Sequence, residues 1–515
     1  MELLGTFNEL TERMGEISTA SSSQLLFKAL KLSFPPLQSL PVDADGRTPL
    51  AKACTIAYLL ADLQMDAEVV SAAILREALL AGAITMDEIE TQTGSSTLHL
   101  LQESLKMKDL HSGDETLDDE RANELGKHFL TSYDIRALIV ELAARLDSMR
   151  HIDNLPKYHQ QKLSLEALKI CAPLAHAVGA AGWSLELEDL SFRILFPSSY
   201  VYLDTWLTSR ETESKPLIEI FKSQLLQALK SDSELQEIVN DVTIIGRYKS
   251  RFSTMKKLLS YGIKPEELHD NLGLRVIIDR KCGDEASDER GVRACYGAHE
   301  VMQSLWKEIP ARTKDYIAKP KGNGYQSLHL VIDLSERGPL VIPLMEVQIR
   351  TAAMDMVAEG GVASHSMYKG GLTDPEEAKR LKDIMLAAAD ATALHLRDLP
   401  SGNQKGKLDN DPKNQVFRFL DENGDGRISI EELTAVMGEL GAGSKDDQEL
   451  MQLLDENIND GFLSTDEFDF LQKQVGFMRT MEDTDDQYRS MFQMTDGIGL
   501  IQVYRRELSD KLTVS

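Results

Sequence analysis

The stretch Lys314-Asp315-Tyr316-Ile317-Ala318-Lys319-Pro320-Lys321-Gly322-Asn323-Gly324-Tyr325-Gln326-Ser327-Leu328-His329 decides how the chain is read. It sets three lysines beside a β-rich run, and cations at strand edges neutralise polyphosphate. Further short β-rich runs at 242–245, 274–278 and 344–349 alternate with helical stretches, so the middle of the chain reads as α/β. Gly246-Arg247-Tyr248-Lys249, Leu268-His269-Asp270 and Glu346-Val347-Gln348-Ile349-Arg350 belong to the same block. Asp270 and Glu346, expected on neighbouring strands, could hold one magnesium ion, which takes one or two carboxylates together with phosphate oxygens. The residues alone therefore describe a nucleotide-phosphate site.

Upstream, apolar residues recur at helical spacing from about 49 to 195, for example at 56–60 and 135–149, which reads as an all-α domain. The polar stretch 208–215 looks like a linker. Downstream, Asp374-Pro375-Glu376-Glu377 starts an amphipathic helix to about 399, broken by the Ser/Gly/Asn run 401–406. The expected organisation is a helical extension at 1–48, an all-α domain at 49–207, the α/β block at 216–372, a helical linker at 373–409, a paired-loop module at 410–478 and a tail at 479–515.

The chain has 515 residues, too many for one ordinary core, and a formal net charge of −27. So acidic a surface disfavours nucleic acid and anionic membranes and accommodates calcium or a basic partner, so neither direct nucleic-acid binding nor membrane association is expected. Cys54, Cys171, Cys282 and Cys295 form no CxxC pair, which argues against a zinc ribbon or a disulfide framework. No stretch reaches the ~20 apolar residues of a membrane span, and residues 1–16 lack a basic start with an apolar run.

Two Asp/Asn-rich loops form the one internal repeat. In the first, Asp421, Asn423 and Asp425 alternate, Gly426 makes the sharp turn, Arg427 offers its carbonyl, Ser429 can hold a water and Glu432 closes the shell. That is the twelve-residue EF-hand pattern, in which oxygens converge on a hard cation wanting six to eight of them. Ile428 is expected to pair with the second loop in a short ladder. The second loop carries one extra residue before its glycine; Asp455, Asn457, Asp460, Ser464 and Glu467 remain as candidate ligands, with a purely structural role as the alternative.

The run 314–329, with 346–350 and Gly361-Val362-Ala363-Ser364-His365, resembles the synthetase signature of the RelA/SpoT homologues. The resemblance implies a nucleotidyltransferase-like α/β domain with a mixed sheet that transfers pyrophosphate from ATP to the 3′-hydroxyl of GDP or GTP, releasing AMP. By resemblance, Arg247 and Arg275 sandwich adenine, Asp270 and Glu346 bind magnesium, and Tyr325 stacks on guanine beside Asn323 and Gln326. Lys249, Lys257, Lys314, Lys319, Lys321 and His329 would steady phosphates, and Glu346 is the candidate acceptor of the hydroxyl proton. The basic Arg312-Thr313-Lys314-Asp315 form hints at GDP as acceptor.

Residues 49–195 resemble the family's HD hydrolase domain, most plainly in Ala172-Pro173-Leu174-Ala175-His176. Where active relatives place metal ligands, this chain has Lys52, Arg76-Glu77 and Ala144. Lys and Arg are cationic and offer a metal no lone pair, so loss of ppGpp hydrolysis is expected. The fold expected overall is multidomain: an all-α HD-like domain, the α/β synthetase domain and a C-terminal α-helical EF-hand pair. Together these features resemble the calcium-activated plant members of the family, implying a chloroplast location. A calcium-sensing scaffold whose enzyme domains are both relics is the competing reading.

Overall fold

The computed structural model describes residues 2–15, 19–43, 45–111, 117–263, 265, 268, 272–280, 287–320, 325–334, 344–360, 427–429 and 462–493. The first part is helical: α1 (Glu2–Met14), α2 (Ala20–Gln38), α3 (Pro49–Asp62), α4 (Ala67–Leu80), α5 (Met86–Thr93), α6 (Ser95–His111), α7 (Asp119–Ser132), α8 (Ile135–Arg150), α9 (Lys157–Glu166), α10 (Ala172–Ala177) and α11 (Ala181–Leu195). Their starts are written locally: Thr48, Asp66, Asp118 and Asp134 cap α3, α4, α7 and α8, each accepting a first-turn backbone N–H. Buried Leu10, Leu26, Leu30 and Leu37 join the same core as α3, α4 and α8, so the N-terminal extension packs as part of this all-α unit.

The expected linker at 208–215 is instead the middle of α12 (Pro197–Ser231), a helix of 35 residues. Its polarity misled because this helix bridges two cores and is wetted between them. Leu203 enters a core shared with α11, whereas Ile218, Phe221, Leu225 and Leu229 enter the core of the sheet.

After α13 (Ser233–Ile238) come β1 (Val239–Tyr248), α14 (Arg251–Tyr261), β2 (Leu272–Arg280), α15 (Ser287–Leu305), β3 (Lys307–Glu308), β4 (Lys314–Asp315), β5 (Leu328–Asp333), β6 (Leu344–Thr351) and α16 (Ala352–Gly360). The sheet order is β1-β2-β6-β5-β3, with β4 also on β5. β2 and β6 run parallel and the other pairs antiparallel, giving the expected mixed sheet. Period-two patterning divides its faces. Leu274, Val276, Ile278, Leu328, Leu330, Ile332, Val347 and Ile349 are buried with α12 and α15, leaving Arg247, Arg275, His329, Glu346 and Gln348 for the opposite face.

Two further strands, β7 (Ile428–Ser429) and β8 (Phe462–Leu463), pair antiparallel with Ile428 opposite Leu463, the ladder expected between the two loops. The helix α17 (Thr465–Gln493) follows and runs straight through the division expected at 478/479. The helix expected at 374–399 lies outside the described residues.

Gly273 lies opposite Glu346 in the β2/β6 register, and a Cβ there would stand 2.5 Å from the Glu346 carbonyl oxygen. Only glycine permits this approach. Gly273→Ala should force the strands apart and destabilise the domain by about 1–3 kcal/mol, read as a lower urea midpoint.

Candidate functional site

The polar face of the sheet gathers its groups by register. Arg247 pairs with Gly273, Gly273 with Glu346 and Glu346 with Val331; one step along, Ile245, Arg275, Gln348 and His329 align. Cross-strand partners share a face, so Arg247, Arg275, Glu346 and His329 converge although they are far apart in sequence. Lys249 continues this row beyond β1, and α14 brings Lys257 alongside it.

His329 lies between two other functional side chains. Its Nδ1 is 3.0 Å from Glu346 Oε1, and its Nε2 is 2.7 Å from the Tyr325 hydroxyl. An ionised carboxylate only accepts, so Nδ1–H donates to Glu346 and, in the neutral ring, Tyr325 O–H donates to Nε2. Tyr316 packs edge-on against both rings, at 5.1 Å from His329 and 6.1 Å from Tyr325. His329, expected among phosphate ligands, thus positions the guanine-stacking candidate relative to the carboxylate.

Burial alone would raise the Glu346 carboxyl, but the His329 hydrogen bond and charge, with Arg247 nearby, outweigh it and lower it to about 2. Gln348 also reaches Oε1, at 3.5 Å, so among the described residues both hydrogen bonds to this carboxylate fall on Oε1. An ionised carboxylate suits a hard divalent cation. The cations behave oppositely. Burial lowers Lys257, and the adjacent Lys249 charge lowers it further, to about 8. Burial likewise lowers Lys249, with Arg247 adding to the effect against the opposing pull of Glu346.

Sequence reasoning missed Asp355. From α16 its carboxylate contacts the buried Arg350 guanidinium and lies 3.7 Å from Arg275. Arg350 in turn lies 6.0 Å from the Tyr325 ring centroid. Asp355 thus ties the expected adenine side to the expected guanine side. No periodic signal announces it, because the pairing crosses a strand-to-helix corner. Asp315, inside the quoted stretch, is committed to the fold: it accepts from the Ile317 and Ala318 backbone and from the Tyr296 hydroxyl. Lys314 and Lys319 are exposed and Gln326 is half-buried. Asp270, Lys321 and Asn323 lie outside the described residues.

A model of the region found in RelA / SpoT proteins matches residues 246–373, an HD domain model 34–181 and an EF hand model 414–437. GTP diphosphokinase CRSH1, chloroplastic, from Oryza sativa subsp. japonica is 60% identical over 519 residues, covering 100% of this chain and 87% of that protein. Probable GTP diphosphokinase CRSH, chloroplastic, from Arabidopsis thaliana is 57% identical, covering 100% of this chain and 89% of that one. The chain belongs to the RelA/SpoT family. Among solved structures, the product-bound small alarmone synthetase 1 from Bacillus subtilis is 25% identical over 37% of this chain and 93% of its own, with a TM-score of 0.25.

In this RelA/SpoT homologue, Lys52 and Arg76, at two of the positions where HD metal ligands are expected, sit in ion pairs. Arg76 is buried on α4 and binds Glu141 of α8 at 2.7 and 2.9 Å, as well as the neighbouring Glu77. Lys52 on α3 binds Asp43 at 2.7 Å and Asp45 at 3.0 Å. Asp45 shares Arg47, which forms a two-pronged pair with Asp147 of α8 at 2.9 and 2.8 Å. Ala144 is buried between Glu141 and Asp147 on that helix. Burial opposes the Arg76 charge, yet Glu141 and Glu77 outweigh it and raise its pKa. Among the described residues, no cluster of three or more His, Cys, Asp or Glu could hold a metal ion.

In the calcium module, Ser464 and Glu467 form a capping box at the start of α17: Glu467 Oε2 accepts from the Ser464 backbone N–H at 2.8 Å and from its hydroxyl at 2.7 Å. Ile428 and Leu463 are buried across the ladder that joins the two segments. Arg427 borders the ladder. Asp421, Asn423, Asp425, Glu432, Asp455, Asn457 and Asp460 lie outside the described residues.

Two outcomes are expected. Lys257 carries its charge below about pH 8 and loses it above, so competitive acetylation should find it titrating near 8. ATP should move that titration upward, because the polyphosphate favours the charged form. Arg76→Ala leaves two partly buried carboxylates without their buried cation and should destabilise the HD-like domain by up to about 3 kcal/mol, measured by urea denaturation.

Proposed function

We propose that the chain is a calcium-dependent GTP diphosphokinase of the chloroplast, transferring pyrophosphate from ATP to the 3′-hydroxyl of GDP or GTP and releasing AMP. The observation that carries this reading is the convergence of Arg247, Lys249, Lys257 and Arg275 on a face where Tyr325, His329 and Glu346 form one hydrogen-bonded row. Arg247 and Arg275, on adjacent strands, hold the adenine; Lys249 and Lys257 neutralise the triphosphate. Tyr325, set in place by His329, Tyr316 and Arg350, presents its ring to guanine.

The acceptor oxygen attacks the β-phosphorus, the bond from that phosphorus to the α,β-bridging oxygen breaks, and AMP leaves. Magnesium, held by Glu346 and by Asp270 in the segment leading into β2, would supply charge neutralisation to the polyphosphate. A carboxyl lowered to about 2 is a weak base, so Glu346 orients the 3′-hydroxyl by accepting its hydrogen bond and takes the proton late. Pyrophosphoryl transfer, like phosphoryl transfer, depends more on positioning and charge than on a strong base. The HD-like domain, with Lys52 and Arg76 held in internal ion pairs and Ala144 offering no ligand, acts as a scaffold without ppGpp hydrolysis.

The test is an assay of purified protein with ATP, GDP or GTP, and magnesium, with calcium or with chelator. Tetra- or pentaphosphate and AMP should form with calcium and fall sharply with chelator, and ppGpp supplied with manganese should not yield GDP. No product under either condition overturns the synthetase reading. Equal rates with calcium and chelator overturn calcium dependence.

A further inference from the structure

The helix that leaves the second calcium loop does not end in the calcium module. α17 has 29 residues, about 43 Å at 1.5 Å per residue, and its far half is buried against the enzyme. Asp485 accepts from the Ser198 and Ser199 backbone N–H groups at 2.8 and 2.9 Å, and the Ser199 hydroxyl donates to the Asp485 carbonyl at 3.1 Å. A carboxylate from another element therefore caps the N-terminus of α12, where unpaired N–H groups and the helix dipole favour negative charge. Tyr488 packs on Phe196 at 5.1 Å, Phe492 stacks on Tyr202 at 6.2 Å, and Phe477 meets Tyr158 of α9 at 5.8 Å.

The core that receives Met481, Tyr488 and Phe492 is shared by three parts of the chain. It holds Leu165 and Leu168 from the α9 region, Phe192 and Leu195 from α11, and Phe252, Met255 and Leu258 from α14. α14 is the synthetase helix that carries Lys257. It is fastened to the HD-like domain by the same device: Asp189 accepts from the Phe252 N–H at 2.9 Å, Lys256 binds Glu188 at 2.9 Å, and Arg251 binds Asp204 at 2.9 Å.

We propose that the groove between α9, α12 and α14 is the docking surface of the calcium module's exit helix, and that Asp485 fastens α17 there so that its position sets that of α14 and Lys257. The inference rests on the proposed calcium dependence and names its route. The near end of α17 is joined to both loops: the ladder links Ile428 to Leu463, and Glu467, the closing ligand position of the second loop, spends Oε2 on the capping box. Closing ligation by an EF-hand glutamate takes both carboxylate oxygens, so occupation of that loop and the capping bonds compete at the first turn of α17. A long helix with one end in the loops and the other in a shared core transmits such a change as a rigid element.

The test uses the full chain and Asp485→Asn, which keeps the shape but removes the charge on α12. Calcium titration should show the variant binding calcium as the parent does, while the ratio of synthesis rates with calcium and with chelator falls from the roughly 5- to 150-fold range of allosteric coupling to within about twofold of unity. Hydrogen exchange of the parent should show calcium altering protection at 198–203 and 252–258, and in the variant the change should stop within α17. A parent that is stimulated alongside an equally stimulated variant overturns the proposal, as does unchanged exchange at 252–258 in the stimulated parent. A parent that binds calcium without stimulation overturns calcium control, and exchange at 252–258 then decides the docking separately. Should Asp485→Asn fail to fold, Phe492→Ala and the parent's exchange make the same decision.

Discussion

The burial of Phe252, Met255 and Leu258 against Phe192, Leu195 and Met481 is the constraint on which the rest of the molecule depends. Each such side chain contributes on the order of 1.5–3 kcal/mol when removed from water. Surface pairs such as Lys157 with Glu482 contribute about 0–1 kcal/mol. The apolar joint therefore decides how the HD-like helices, the synthetase domain and α17 sit together, and the surrounding charges orient it. Because α14 is part of that joint, Lys257 on that helix is held in place partly by residues outside the synthetase domain.

The two enzyme-like sites show opposite solutions to buried charge. In the HD-like domain each cation has its acids within the fold: Arg76 has Glu77 and Glu141, and Arg47 has Asp45 and Asp147. The pairs raise the Arg76 and Arg47 pKa values, as expected of satisfied cations. On the synthetase face, burial first and then the charge of neighbouring cations lower Lys249 and Lys257, against the opposing pull of Glu346. A polyphosphate would supply further negative charge.

Much of this was legible in local sequence. Strand runs at 242–245, 274–278, 328–332 and 344–349 follow from alternation and β-branched content, and all lie in strands. The ladder at Ile428 follows from the spacing of the calcium loop. Local reading failed at 208–215, where a polar run is the wetted middle of a helix anchored at both ends, and at 478/479, where no break in apolar spacing exists to mark a boundary.

The sequence by itself determined the candidate chemistry: which residues could bind phosphate, which could ligate calcium and where the HD-like domain offers cations in place of expected metal ligands. Only tertiary structure decided which of these groups meet. Arg76 reaches Glu141 across 65 residues, Arg47 reaches Asp147 across 100, and Ser199 reaches Asp485 across 286. Helical and strand periodicity extends over a few residues and fixes a face, whereas the partner of a charge on that face is chosen by packing. His329 was therefore visible as a histidine beside a phosphate motif, and its place between Tyr325 and Glu346 emerged only once β5 lay against β6.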